Sequence, residues 1–308
     1  MRRDFLKILF VFAAPLLVAC NKAQPDNSAG APEPTKPAVR ALTISAIPDQ
    51  DPEKLQRLYG GIASYLSGAI GSSVEYKPVT DYKAAVTAFK VGDLDLVWFG
   101  GLTGVQARIQ VPGAEAIVQR DIDEKFTSIF IANKKAGISS LADLKGKTFT
   151  FGSESSTSGR LMPQYFLEKA GVTLGDFKGR PGFSGSHDKT IELVTAGSFD
   201  AGVVNAQVWQ TRLAAGKIDT SKVAEFSTTP PYHDYHWVLN PGAEKRLGTG
   251  LKAKLVAAFT ALDPGKPEHA KILELFGAKR FIETRNDNYA QIEQVGRSTE
   301  LIVADARR

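Results

Sequence analysis

The apolar side chains change their spacing repeatedly from residue 41 onward. Leu42, Ile44 and Ala46 occupy every second position, which is the spacing of one buried strand face. Over 55–70 the large apolar residues recur every three or four positions, which is the spacing of one helix face. Because this change recurs along the chain, the pattern predicts an α/β protein.

The pattern assigns most of the chain to short elements. The predicted strands are 42–46, 74–79, 94–98, 116–119, 127–132, 148–151, 201–204, 223–227 and 237–239. The predicted helices are 55–70, a segment capped by Asp81 that carries Val86 and Phe89, 158–170, 189–196, 207–215, 247–261, 269–276 and 289–303.

The order of these elements predicts two α/β lobes joined by a hinge. We expect residues 41–131 and 232–308 to form lobe 1 and residues 132–231 to form lobe 2. Ligands of such sheets bind outside the carboxyl ends of the strands, where loops from both lobes converge. The loops that follow the strands are therefore the candidate site.

The N-terminus has the features of an export signal. Basic residues at 2, 3 and 7 precede an apolar run over 8–18, and the tetrad 17–20 ends in Cys20. Crossing a hydrocarbon core takes about 20 helical residues, so a retained transmembrane anchor is the weaker interpretation. Residues 1–20 are predicted to be a signal peptide, and the arginine pair leaves open whether export uses the twin-arginine or the general route.

Leu17-Val18-Ala19-Cys20 resembles a bacterial lipobox, in which the cysteine thiol receives a diacylglyceryl group. The alternative is an ordinary signal peptide that contains a cysteine. Cys20 is the one cysteine of 308 residues, so it has no disulfide partner in the chain. Residues 21–40 hold four prolines among small and charged residues, which predicts a flexible tether. We expect an exported protein, periplasmic or at the cell surface, that is anchored to a membrane by lipid.

Charge and motifs argue against several classes of function. A formal net charge of +5 without a run of basic residues does not suit a nucleic-acid-binding protein. No Gly-x-Ser-x-Gly sequence is present, and the one cysteine, Cys20, lies in the leader, so hydrolytic chemistry has little to work with. His233, Asp234 and His236 lack clear further ligands, so no metal and no cofactor is predicted.

The strongest local feature is the loop 152–159, which lies between a predicted strand and a predicted helix. Its centre is Ser156-Thr157-Ser158. A helix N-terminus presents unsatisfied N–H groups and a partial positive charge, and hydroxyl groups add donors that rotate to fit an oxyanion. The alternative is a turn whose hydroxyls only cap the helix. His187 follows a second loop of small residues and offers an imidazole donor, or a plain helix cap.

Five spaced segments carry a family resemblance: Thr80-Asp81-Tyr82, Val97-Trp98-Phe99-Gly100, the loop 151–159, Ser184-Gly185-Ser186-His187 and 230–235. In these segments the chain resembles the phosphonate-binding family of ABC-importer receptors. The resemblance implies a type II periplasmic-binding-protein fold that closes on its ligand by hinge motion. It also implies a substrate-binding protein rather than an enzyme, acting as a monomer with an ABC permease in the inner membrane.

The resemblance implies which residues meet the ligand. The oxygens of the anion would be held by Tyr82, Ser156, Thr157, Ser158, His187 and Asp234. Two further positions of the site depart from the family. Phe99 stands where a tyrosine is common, and Gln207 falls about where aminoalkylphosphonate receptors keep a carboxylate. A small tetrahedral oxyanion such as phosphonate, phosphite or phosphate is therefore expected rather than an aminophosphonate.

Two alternatives stay open. Segments 45–50 and 229–232 look like a branch of the family labelled as selenate receptors. A carboxylate at Asp234 argues against that label, because it favours anions that carry a proton to donate. From another class of function, the chain is a ligand sensor or an enzyme with the same fold, for which His187 and Asp234 form the one candidate catalytic pair.

Overall fold

The structure of the protein is a computed structural model that describes residues 41–303. The predicted signal peptide, Cys20 and the tether lie outside the described residues. Eleven strands occur in this range: β1 Leu42–Ala46, β2 Val74–Tyr76, β3 Leu96–Phe99, β4 Glu115–Arg120, β5 Ser128–Asn133, β6 Phe149–Phe151, β7 Gly182–Phe183, β8 Ala201–Asn205, β9 Val223–Thr228, β10 His236–Leu239 and β11 Phe281–Glu283.

Ten α-helices lie between and after these strands. They are α1 Pro52–Ile70, α2 Tyr82–Lys90, α3 Gly101–Gln110, α4 Met162–Lys169, α5 His187–Thr195, α6 Ala206–Ala214, α7 Pro241–Leu247, α8 Leu251–Thr260, α9 Pro267–Phe276 and α10 Ala290–Ser298. None of the helices within 41–303 is long and apolar enough to cross a membrane.

The strands form two mixed sheets, one in each lobe. The sheet of lobe 1 has the order β11-β4-β10-β3-β1-β2, with β1 parallel to β2 and β3 and with β10 antiparallel to its neighbours. The sheet of lobe 2 has the order β7-β6-β8-β5-β9. The chain thus enters lobe 2 between β4 and β5 and returns between β9 and β10.

The two connections between the lobes lie side by side. Phe126 and Tyr232 exchange backbone hydrogen bonds of 2.8 and 2.9 Å. β5 begins at Ser128 and pairs with β8 and β9. The boundary expected after residue 131 would cut this strand in two, so the sheets place the crossing before Ser128.

Alternating side chains of β5 explain how the second sheet is covered on both faces. Phe130 packs into one buried cluster with Phe149, while Ile129 and Ile131 pack into another with Trp209. Strands that are buried on both faces lose the alternation of polar and apolar residues, which is typical of sheets covered by helices on both sides. The sequence of β5 accordingly reads as one apolar run.

Two helices differ from the sequence-based expectation. The predicted helix 247–261 is divided into α7 and α8, because Gly248 and Gly250 between them take positive φ angles of 107° and 88°. Helix α3 has no predicted counterpart. Gly101 to Val105 are all buried, so the helix shows no polar stripe by which periodicity identifies a helix.

Candidate functional site

The candidate site comprises four buried side chains contributed by both lobes. The hydroxyl of Tyr82, Oγ of Ser158, Nε2 of His187 and Oδ2 of Asp234 are buried and have no hydrogen-bond partner of good geometry within the described residues. Buried polar groups are nearly always paired, and each exception needs an explanation. All four residues were predicted from the sequence as ligand contacts.

The helix that follows β6 places the three adjacent hydroxyl groups. It begins with a turn of π-helix, Thr157–Leu161, and continues as α4. Ser156 Oγ accepts the N–H of Gly159 at 2.9 Å, so Ser156 is the N-cap of this helix. Helix N-termini leave their first N–H groups without helical acceptors, which makes this end suitable for an anion.

Thr157 has a different role in the arrangement. Its Oγ1 accepts the backbone N–H of Leu102 at 2.8 Å, which joins the second lobe to the first turn of α3. The backbone of Ser158 is held separately, since its carbonyl oxygen accepts the hydroxyl of Ser128 at 2.7 Å. Among the three hydroxyls, the one at Ser158 is left without a protein partner in the described range.

Asp234 precedes β10 and faces the N-terminus of α3. Its Oδ1 accepts the N–H of Gly101 at 2.9 Å. Burial raises the pKa of Asp234 to about 7, although this hydrogen bond and the hydroxyl of Thr157 act against the rise. Near neutral pH the carboxyl group therefore exists in both forms, and Oδ2 is able to share one proton with a ligand.

A glycine lets α3 approach this carboxylate. A Cβ atom at Gly100 would lie 3.1 Å from Oγ1 of Thr157 and 3.2 Å from Oδ1 of Asp234. Such contacts are tighter than ordinary van der Waals contact, so any side chain here would push the two lobes' polar groups apart.

His187 is the first residue of α5 and is completely buried. Burial lowers its pKa to about 3, so the ring is neutral near pH 7. Nδ1 lies 3.3 Å from the backbone nitrogen of Asn205, whose N–H it accepts. The remaining proton is therefore assigned to Nε2, which makes Nε2 a donor.

Tyr82 enters the group from the first turn of α2, which Asp81 caps by accepting the N–H of Ala84 at 2.8 Å. Burial raises the pKa of its phenol well above the usual value, and the carboxylate of Asp49 adds to the rise. The phenol therefore stays protonated and is a donor. With Asp234 ionised, the four groups together comprise three donors and one acceptor.

Two predicted residues have contacts of another kind. The ring of Phe99 packs edge-on against Phe89, with centroids 5.7 Å apart. Gln207 accepts from Nη1 of Arg120 at 2.6 Å and donates to the carbonyl of Phe276 at 3.0 Å. Gln207 thus connects the lobes, and these contacts do not support its predicted place against the ligand.

Sequence reasoning missed several residues around the four groups. Gly101 and Leu102 supply N–H donors, and Asp49, Asn205 and Tyr235 surround His187. Tyr235 stood inside a segment that carried the family resemblance, and Asp49 inside one that resembled the selenate-labelled branch. Nothing in their local sequence distinguishes them from ordinary loop residues, because their partners are distant along the chain.

An open cleft lies elsewhere between the lobes. A cleft of about 700 Å³ is lined by the start of α1, by α5 and by α6, including Lys54, Asp188 and Arg212. Its charged groups are largely solvated or paired with each other, as Asp188 is with Arg212 at 2.7 Å. Within 41–303 no cluster of three or more histidine, cysteine or acidic residues is arranged to hold a metal ion.

Comparisons with known proteins identify the family of the chain. A family profile described as "ABC transporter, phosphonate, periplasmic substrate-binding protein" matches residues 44–289. The probable ABC transporter phosphite binding protein PhnD1 of Prochlorococcus marinus is 47% identical over 270 residues, which cover 85% of this chain and 91% of that protein. The phosphate-import protein PhnD of Mycolicibacterium smegmatis is 29% identical over 203 residues, 61% of each chain.

Solved structures show the same architecture. The structure of P. marinus PhnD1 in complex with methylphosphonate has a TM-score of 0.83 and 48% identity, and the match covers 85% of this chain and 99% of that one. A binding protein component of an ABC phosphonate transporter from Pseudomonas aeruginosa has a TM-score of 0.72 at 22% identity, covering 83% and 85% of the two chains. These likenesses confirm the predicted two-lobed type II fold.

Proposed function

The chain belongs to the periplasmic phosphonate-binding proteins of ABC transporters, and we propose that it captures a small tetrahedral phosphorus oxyanion that carries one acidic proton. Its relatives are binding components of importers and not enzymes. The proposal therefore concerns which anion is bound, by which residues, and how the protein is held near its permease.

The observation that carries the proposal is the set of three donors and one acceptor. The hydroxyls of Tyr82 and Ser158 and the Nε2–H of His187 suit the unprotonated oxygens of the anion. Oδ2 of Asp234 suits a P–OH group. Phosphite, phosphate and methylphosphonate each offer such a group near neutral pH, whereas sulfate and selenate are fully ionised.

The relatives support the same class of ligand. PhnD1 of P. marinus is named as a phosphite binding protein and its solved structure holds methylphosphonate. The tight contacts at Gly100 and the complete burial of His187 and Asp234 favour an anion with at most a small substituent. Phosphite and methylphosphonate satisfy this limit, and an aminoalkyl chain would need a carboxylate where Gln207 already contacts Arg120.

Anchoring is the second part of the proposal. We propose that Cys20 carries a lipid and that residues 21–40 tether the binding protein to the membrane, within reach of its permease. The lipobox-like tetrad and the proline-rich composition support this reading. The binding protein itself acts as a monomer.

A panel of anions tests which ligand the protein binds. Calorimetric titration with phosphite, methylphosphonate, phosphate, sulfate and selenate, supported by thermal shifts, would rank the affinities, because a ligand that binds the native state raises the melting temperature. We expect the phosphorus anions to bind more tightly than sulfate or selenate. Selenate binding more tightly than all three phosphorus anions would contradict the role of Asp234.

A further inference from the structure

We propose that four buried residues, Asp49, His187, Asn205 and Tyr235, form a closed ring of hydrogen bonds that positions His187 for the anion when the lobes meet. The inference rests on the proposed function, since it assigns the ring a role in presenting a ligand donor. Three of its members, Asp49, Asn205 and Tyr235, are positioning residues without contact to the ligand.

The ring is continuous through its four members. The backbone N–H of His187 donates to the carbonyl of Asp49 at 3.0 Å. Oδ2 of Asp49 accepts the hydroxyl of Tyr235 at 2.7 Å. The oxygen of Tyr235 in turn accepts Nδ2–H of Asn205 at 3.0 Å. The backbone N–H of Asn205 then donates to Nδ1 of His187 at 3.3 Å, which closes the ring.

The members come in pairs from the two lobes. Asp49 follows β1 and Tyr235 precedes β10, both in lobe 1. His187 begins α5 and Asn205 ends β8, both in lobe 2. Two of the four bonds, from His187 to Asp49 and from Asn205 to Tyr235, therefore cross between the lobes. Separation of the lobes would break these two bonds together.

Burial makes the ring energetically sensitive. All four residues are at most 4% exposed. A buried polar group that loses its partner costs far more than an exposed one, because water cannot replace the lost bond. Burial also raises the pKa of Asp49, which the hydroxyl of Tyr235 opposes. The complete hydrogen-bond ring is thus stable, whereas removing one member leaves its buried partner unpaired at a cost in free energy.

The ring has a defined chemical effect on His187. An N–H donor at Nδ1 requires a lone pair on that nitrogen, so the neutral ring carries its proton on Nε2. Asn205 is fixed from two sides, because its Oδ1 also accepts the N–H of Val208 at 2.9 Å as the cap of α6. The bond from Asn205 sets the tautomer within lobe 2. Closure of the lobes adds the bonds from His187 to Asp49 and from Asn205 to Tyr235, which hold both residues in place while Nε2–H meets the anion.

The test uses Tyr235→Phe, which removes one hydroxyl and keeps the aromatic side chain stacked on Trp98, with ring centroids 5.8 Å apart. We expect phosphite, phosphate and methylphosphonate to lose affinity by a similar factor, roughly 5- to 100-fold, the range for a buried partner left unpaired. Tyr65→Phe is the matched control, since its hydroxyl bonds the carbonyl of Ala258 within lobe 1. It should bind as the unmodified protein does.

A second variant approaches the ring from the other lobe. Asn205→Ser keeps an oxygen that can cap α6 and loses the amide that reaches Tyr235. If both variants remove the same bond, the double variant should lose little more affinity than whichever single variant loses more. Such a result is the signature of coupled residues. Each variant is also made with His187→Gln, where we expect the loss from Tyr235→Phe to shrink at least about threefold.

Nitrogen NMR of labelled histidine, recorded with and without phosphite, measures the hydrogen-bond ring directly. We expect His187 to show the tautomer protonated at Nε2 in both states. With phosphite holding the lobes together, its signals should be shifted in Tyr235→Phe and unchanged in Tyr65→Phe. Unaltered signals together with unaltered affinity in Tyr235→Phe would overturn the inference. An unmodified protein that shows this tautomer but binds none of the anions would instead overturn the proposed function.

Discussion

Nη1 of Arg120 donates a hydrogen bond to Oε1 of Gln207 across the boundary between the lobes, over 2.6 Å. Arg120 is otherwise satisfied within lobe 1, where Asp123 accepts from its Nε and Nη2 and the carbonyl of Phe276 accepts from Nη1. Gln207 is the partner from lobe 2, so this contact exists when the lobes are together.

Gln207→Ala should therefore lower the affinity for every anion by a similar factor. The variant removes a charge-assisted bond between the lobes, which is on the order of 1.5–3 kcal/mol, and no contact to the ligand. Gln210→Ala on the same helix is the control, because that side chain is exposed. Titrations that show a loss for one anion alone would mean that Gln207 meets the ligand after all.

Ser158→Ala should lower anion affinity by roughly 10- to 150-fold, the effect of losing one hydrogen bond to a charged group. The free energy of unfolding without anion should not fall, because this buried hydroxyl has no protein partner in the described range.

Ser156→Ala separates binding from capping. It removes the acceptor for Gly159, so it should reduce the free energy of unfolding by about 0.5–2 kcal/mol. Chemical denaturation and calorimetry on both variants provide the comparison. Unchanged affinity in Ser158→Ala would leave the loop as a plain helix cap.

Asp234→Asn should alter the order of anion affinities. The neutral amide is a weaker acceptor for a P–OH group than the carboxylate, and it no longer repels a fully ionised anion. The affinity for phosphite should therefore fall and the affinity for selenate should rise. We expect the ratio of the two affinities to change by at least about tenfold. Asp263→Asn removes an equal charge at an exposed position and should leave the ratio unchanged.

The same substitution should stabilise the protein without anion above neutral pH. Burial raises the folded-state pKa of Asp234 from 3.8 to about 7, so between these values the folded state binds the proton more tightly. The contribution of Asp234 to the free energy of unfolding is fully present below its unfolded-state pKa and is lost as the pH rises through about 7.

Asp234→Asn removes this loss, which is on the order of a few kcal/mol at pH 8. His187 has a lowered pKa and produces the opposite slope, but it is present in both proteins and cancels in the comparison. Denaturant titrations at pH 5 and pH 8 measure the difference. A parallel pH dependence in both proteins would show that Asp234 is not the group that titrates.

Under the anchoring proposed above, Cys20→Ser should release the protein from the membrane and leave its anion affinity unchanged, because about 20 residues of the predicted tether separate Cys20 from residue 41. Cell fractionation with titration of the soluble form measures both effects. A variant that stays in the membrane fraction would argue for a retained apolar helix in place of the lipid.

The amino-acid sequence determined the local features of this protein. The spacing of apolar residues placed most strands and helices, and the predicted cap at Asp81 follows from a short-range hydrogen bond. The loop around Ser156-Thr157-Ser158 and the family resemblance also lie in contiguous segments. Such features involve residues a few positions apart, so a linear pattern can carry them.

The tertiary structure decided which of those residues are free to meet a ligand. Ser156 and Ser158 are alike in sequence, yet one caps a helix and the other lacks a protein partner in the described range. Tyr235 and Asp49 are 186 positions apart, and Gln207 meets Arg120 over 87 positions. Burial and long-range partners set these roles, and neither is written in the spacing of nearby residues.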